Sequence, residues 1–143
     1  LQSSGVQNKY PRALEGANQM QDNIVLFNEQ HEKVIINQKS FCELIKWLIV
    51  AYIGVSYDVA HKAVEDKGSF FENLNDVESA GFAGHDWPYF YLAMDIYFSS
   101  HEHSIDKFLI RKRPDFPGGL EIYQKIENDI LHEHNLKEPI TWE

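Results

Sequence analysis

Ser40-Phe41-Cys42-Glu43-Leu44-Ile45-Lys46-Trp47-Leu48-Ile49-Val50-Ala51-Tyr52-Ile53-Gly54 is the run on which the fold turns. Ser40 and Glu43 have capping-box spacing, in which the two residues satisfy each other's orphan amides. Leu44, Ile45, Trp47, Leu48, Val50, Ala51 and Tyr52 follow, so most of the helix circumference is apolar. A helix apolar on most sides belongs inside a core. Gly54 can end it, because glycine accepts the left-handed cap. The run therefore predicts a central helix.

Downstream, Ser56 is placed to cap a second helix with the stripe Val59, Ala60, Ala63 and Val64, closed by Gly68. Ser69 and Glu72 repeat the capping-box spacing and predict a short helix ending near Leu74 or Asn75. Residues 76–81 read as one turn before a loop. Asp86 as cap and Pro88 in the first turn predict an aromatic helix through Tyr89, Phe90, Tyr91, Leu92, Met94, Ile96 and Phe98. It should pack on residues 41–53 and bury Trp47, so Trp47→Ala is expected to cost roughly 3–5 kcal/mol. Residues 105–110 are ambiguous, and residues 111–119 read as a loop. A last amphipathic helix carries Tyr123, Ile126, Ile130 and Leu131 on one face and ends near Asn135.

Upstream, the β-type runs Ile24–Phe27 and 34–36 flank a polar connection, which suggests a hairpin; a helix running through is the alternative. Residues 1–22 read as a flexible or loosely docked lead-in. The expected fold is mainly α: a single compact helical domain over residues 23–143, with room for one small β-hairpin near the N-terminus.

The chain has 143 residues, 43% of them hydrophobic, enough for a core without staples. No apolar run approaches the roughly 20 residues that span a bilayer, and no secretory signal pattern opens the chain. Cys42 is the single cysteine, so no internal disulfide forms, which fits a reducing compartment. The expectation is a cytoplasmic protein without membrane contact. Its net charge of −9 argues against nucleic acid as a direct partner, since that affinity comes from Lys and Arg on phosphates. Between Gly68 and Asp106 there is no Lys or Arg, while Glu72, Asp76, Glu78, Asp86, Asp95, Glu102 and Asp106 fall there. Such a stretch can serve solubility alone, or form a face that recruits a basic partner.

Motifs for chemistry are scarce. His101-Glu102-His103 and His132-Glu133-His134 are twin triplets, but histidines two apart diverge on a helix and read best as exposed polar residues. No metal site and no cofactor is expected. Cys42 lies in an apolar helix and reads as a small hydrophobe. Gly118-Gly119 before a helix can bind an anion but more simply lets the chain turn. Arg111-Lys112-Arg113 near His101 and His103 is the only hint of a nuclease, and the acidic balance opposes it. The chain is not expected to be an enzyme.

His85-Asp86-Trp87-Pro88-Tyr89 is the most distinctive short run, able either to start a core helix or to anchor an interface. Together with residues 55–64, Ser69-Phe70-Phe71-Glu72 and the aromatic run to Met94, it resembles a helix, connector and aromatic helix found in small acidic immunity proteins of bacterial contact-dependent growth inhibition and other polymorphic-toxin systems. The resemblance covers about a third of the chain. It implies tight binding to a cognate toxin domain, often a basic nuclease, and transfers no individual residues. On charge and aromatic character, the expected contacts are Asp76, Glu78, His85, Asp86, Trp87 and Tyr89. The alternatives are an adaptor that takes a peptide or helix in an apolar groove, and a small hydrolase that uses histidines. An inhibitor is expected to show an exposed acidic surface without a concave pocket; an enzyme is expected to show such a pocket with convergent polar groups.

Overall fold

The computed structural model describes residues 20–101 and 118–143. Helix α1, Gln38–Ile53, runs through the centre and fully buries Phe41, Leu44, Ile45, Leu48 and Ile49. It begins earlier than the capping-box spacing of Ser40 and Glu43 predicts. Asn37 is the N-cap residue and makes no side-chain cap. The lead-in chain satisfies the orphan donors instead. The Asp22 carboxylate accepts from Ser40 N at 2.9 Å and from Ser40 Oγ at 2.7 Å. Gln38 N donates to the Gln21 carbonyl at 2.8 Å. Residues 20–22 are thus tied into the fold, although their polar character read as loose. At the other end Gly54 takes the left-handed cap at φ 87°, and its N–H reaches the Val50 carbonyl.

Helix α2, Tyr57–Glu65, is capped by Ser56 and buries Ala60, Ala63 and Val64 of its predicted stripe, while Val59 stays exposed. It stops before Gly68, which opens helix α3, Gly68–Glu72; Ser69 and Glu72 form no capping box there. The box occurs where none was expected. Asp76 and Ser79 cap each other and launch helix α4, Val77–Gly84, through a stretch that read as a single turn. Its Ala80 and Ala83 are buried, so packing sustains the helix through Gly81. Helix α5 spans Phe90–His101 and packs on α1. Asp86 does not start it: the Asp86 and Trp87 amides continue the turn of α4, donating to the Ala83 and Gly84 carbonyls, and a cis Trp87–Pro88 bond follows.

Helix α6, Gly119–Glu133, buries Tyr123, Ile130 and Leu131 on its predicted face, with Glu127 among them. Gly118 precedes it at φ +85°, where a Cβ would meet Ile122 Cγ2 at 2.9 Å. The expected hairpin forms from strands β1, Ile24–Phe27, and β2, Lys33–Ile36. A third strand, β3, Ile140–Trp142, pairs antiparallel with β2 and completes the order β1-β2-β3. Three residues after a proline gave no strand signal, so it went unread.

The described residues are mainly α with this small sheet, in line with the expected class. Among them no helix is long and apolar enough to cross a membrane. Trp47 departs from its expected place. It is only half-buried, stacked on His134 at 4.0 Å and against Tyr57 at 4.7 Å, so the cost of deleting a fully buried aromatic does not apply to it. The basic cluster 111–113, the ambiguous segment 105–110 and most of the first histidine triplet lie outside the described residues.

Candidate functional site

Two buried polar residues at the start of α1 set the position of a cleft. Asn37 Oδ1 accepts from Asn23 N at 2.7 Å, and its Nδ2 donates to the Glu138 carbonyl at 2.7 Å. Asn37 N donates to the Pro139 carbonyl, and Lys137 N donates to Ser40 Oγ at 3.0 Å. The chain after α6 is thereby pinned across the head of α1, and β3 follows from it. Opposite stands the C-terminal end of α4. Between them opens a cleft of about 460 Å³. Gly81, Gly84 and His85 form one wall; Glu138, Pro139, Ile140 and Trp142 form another; Trp87, Tyr89 and Glu127 lie between.

The floor is a short hydrogen-bonded chain. Tyr89 N donates to the Tyr123 hydroxyl at 3.0 Å, and that hydroxyl donates to Glu127 Oε1 one helical turn along. Trp87 meets the Tyr123 ring edge-on at 5.8 Å. Tyr89 packs on Phe41 at 4.7 Å and is buried. Burial drives the Tyr123 and Tyr89 phenols far above the ordinary range, so both stay protonated and Tyr123 remains a donor.

Glu127 is the unusual member, only 8% exposed on the apolar face of α6. Burial raises its pKa; hydrogen bonds from Tyr123 and Trp87 pull it down, and the Glu138 charge pushes it up again. Among the described residues no cation pairs with it. Lys46 shows the opposite treatment. Its buried ammonium sits 2.8 Å from Glu43 and 3.3 Å from Glu65, and although burial, the largest single effect, lowers its pKa, the Glu43 hydrogen bond and the surrounding charges together raise it above the ordinary value. Among the described residues, one buried charge is answered by opposite charges and the other by neutral donors.

Asp86 adds to the same field. Burial raises its pKa first and Asp95 next, while His85 lowers it. The charges of Glu127, Asp86 and Glu138 push the Tyr89 phenol up further. Among the described residues no Lys or Arg lines the cleft.

Of the sequence-predicted contacts, the structure brings His85, Trp87 and Tyr89 into the cleft with Asp86 beside them. Tyr89 contributes as buried floor rather than as an exposed anchor. Asp76 and Glu78 stand apart, exposed at the opposite end of α4. Asp76 is engaged in capping, and the Ser79 backbone hydrogen bond lowers its pKa. Glu72 is not part of the cleft lining, and Glu102 and Asp106 lie outside the described residues.

Sequence reasoning missed Glu127, Glu138 and Trp142. Glu127 carried a signal, a carboxylate within the stripe of Tyr123, Ile126, Ile130 and Leu131; the other two carried none. Among the described residues no three His, Cys, Asp or Glu side chains group to hold a metal ion. The second histidine triplet closes α6, with the His134 ring spent on Trp47.

No family model, curated protein or solved structure matches this chain. Its function must be read from the cleft itself. Aromatic faces attract cations, and carboxylates in a partly dry cleft attract them further. A concave pocket is the feature expected of an enzyme, whereas an inhibitor is expected to show an exposed acidic surface without one.

Proposed function

We propose that this chain is a stoichiometric inhibitor, of the kind polymorphic-toxin systems carry as immunity proteins, acting in the cytoplasm on a basic toxin domain. The observation that supports the reading is the charge of this surface rather than its shape: among the described residues the lining carries carboxylates and aromatic rings and no Lys or Arg, although its concavity is the feature expected of an enzyme. A nuclease exposes Lys and Arg to hold phosphate, and a competitor must present carboxylates in its place. Trp87 and Trp142 are 36% and 44% exposed, enough for aromatic anchors at the rim. Phe82, more exposed than either, stands on α4 beside that wall and extends the apolar contact area. In this reading the chain performs no chemistry of its own and needs no cofactor.

The test is co-expression with the toxin encoded by the adjacent gene. Wild-type chain should restore growth and bind one to one in calorimetry; Phe82→Ala with Asp86→Lys should do neither while keeping its melting temperature. Absence of binding by the wild type removes the inhibitor reading.

A second reading, a small hydrolase, draws on His85 and a Glu127 of raised pKa in one cleft, since raised carboxyls serve as general acids. No activated nucleophile supports it among the described residues, and Cys42 is buried in α1.

A further inference from the structure

We infer that the cleft is a seat for one arginine side chain of the partner, with Glu127 as its counter-charge and the Trp87 and Trp142 indoles in its lining. The inference rests on the inhibitor reading only for the origin of that arginine.

The argument starts from the cost of Glu127. An ionised carboxylate taken out of water is expensive unless a cation answers it. Glu127 is 8% exposed and lies near a second carboxylate, Glu138. Its described partners, the Tyr123 hydroxyl and the Trp87 indole, are neutral. A carboxylate has about four acceptor sites, so capacity remains after two such donors. Lys46 shows that this fold can pair a buried charge internally. At Glu127 no cation of the described residues does so, and Glu127 lines the cleft.

The lining selects among cations. A guanidinium is planar, weakly hydrated and stacks on aromatic faces while donating in a fork to a carboxylate; an ammonium is compact and strongly hydrated. Two indoles beside a carboxylate suit the former. The cleft's volume of about 460 Å³ is ample for one side chain. Gly81 and Gly84 leave the α4 wall without side chains, and a Cβ at either position would meet nothing within 4 Å. The bare wall keeps the entrance clear.

The probe is N-acetyl-arginine N-methylamide, titrated against the whole chain and followed by the indole N–H signals in NMR. The chain has three tryptophans, and Trp47 lies outside the cleft lining, so it serves as an internal control. Trp87 and Trp142 should shift saturably at millimolar probe while Trp47 stays still. The citrulline analogue, neutral but the same shape, should bind at least about tenfold more weakly, the loss expected for a charge-assisted hydrogen bond. Glu127→Gln keeps an acceptor for Tyr123 and should weaken the arginine probe to the same extent. Gly84→Leu, which alters no charge, should block it. Equal shifts with citrulline, or an arginine response unchanged in Glu127→Gln, overturn the inference. The two readings fail separately. A toxin bound equally by wild type and Glu127→Gln removes the arginine seat and keeps the inhibitor; a probe that binds where no toxin does keeps the seat and removes the inhibitor.

Discussion

Glu127 makes a claim about stability that can be checked without a partner. Burial holds its carboxyl above the ordinary range. A carboxyl whose pKa is higher folded than unfolded binds more protons in the native state between those two values. Stability then falls as pH rises through that window, and the whole cost persists above it. Glu127→Gln removes the cost. Its melting temperature should equal or exceed the wild type's at neutral pH, and the difference should shrink below about pH 4, where the wild-type carboxyl is protonated in both states. A variant markedly less stable at neutral pH would mean that the carboxylate stabilises the fold. Cys42 gives a second check at this scale. Burial, only partly offset by Lys46, pushes its thiol up to about 12. A thiol reagent at pH 8 should leave the native chain unlabelled and label it once in denaturant; rapid native labelling would reopen a nucleophile reading.

Helix ends, rather than helix centres, separate what the sequence made legible from what it hid. The apolar runs of α1, α2 and α6 were readable because periodicity is local and burial follows from it. Their starts were not, because a cap can come from a distant residue. Asp22 caps α1 across a strand hairpin, so Ser40, which looked like the cap, receives one instead. Asp22→Ala should cost about 1–2 kcal/mol, as for a lost N-cap. Urea unfolding should show the midpoint fall with the slope unchanged. A change within about 0.5 kcal/mol, ordinary for a surface substitution, would mean that water replaces the carboxylate there. The same non-locality hid half the cleft. His85, Trp87 and Tyr89 are adjacent in sequence and were readable as a group, whereas Glu127 meets them through Tyr123, and Glu138 and Trp142 follow a C-terminal chain that Asn37 and Ser40 hold across the head of α1. A carboxylate inside an apolar stripe was the one local sign of that meeting.

At the scale of the molecule, the net charge of −9 and the cleft act over different ranges. The overall charge sets a long field that raises encounter rates with any basic protein and carries no address. An address requires carboxylates close to the docked side chain. Helix α4 separates two groups: Glu78 in its first turn, and Asp86 just past its end. At 1.5 Å per residue they stand about 12 Å apart along the axis. The Debye length is about 30 Å at 0.01 M salt and about 8 Å at 0.15 M. In dilute salt a basic partner seated at the cleft feels both carboxylates; at physiological salt only Asp86 lies within range. Glu78→Lys and Asp86→Lys should therefore slow association with the cognate toxin by similar factors at low salt and diverge at about 0.15 M, where Asp86→Lys alone stays slow. Asp86→Lys should also speed dissociation, because its charge borders the contact, while Glu78→Lys leaves dissociation unchanged. Glu78 is preferred to Asp76 for this comparison, since Asp76 caps α4 and its loss would disturb the helix. Stopped-flow mixing across a salt series reads both rates. If the two variants stay equal at physiological salt, the partner lies along the whole length of α4, and the cleft is not where it docks.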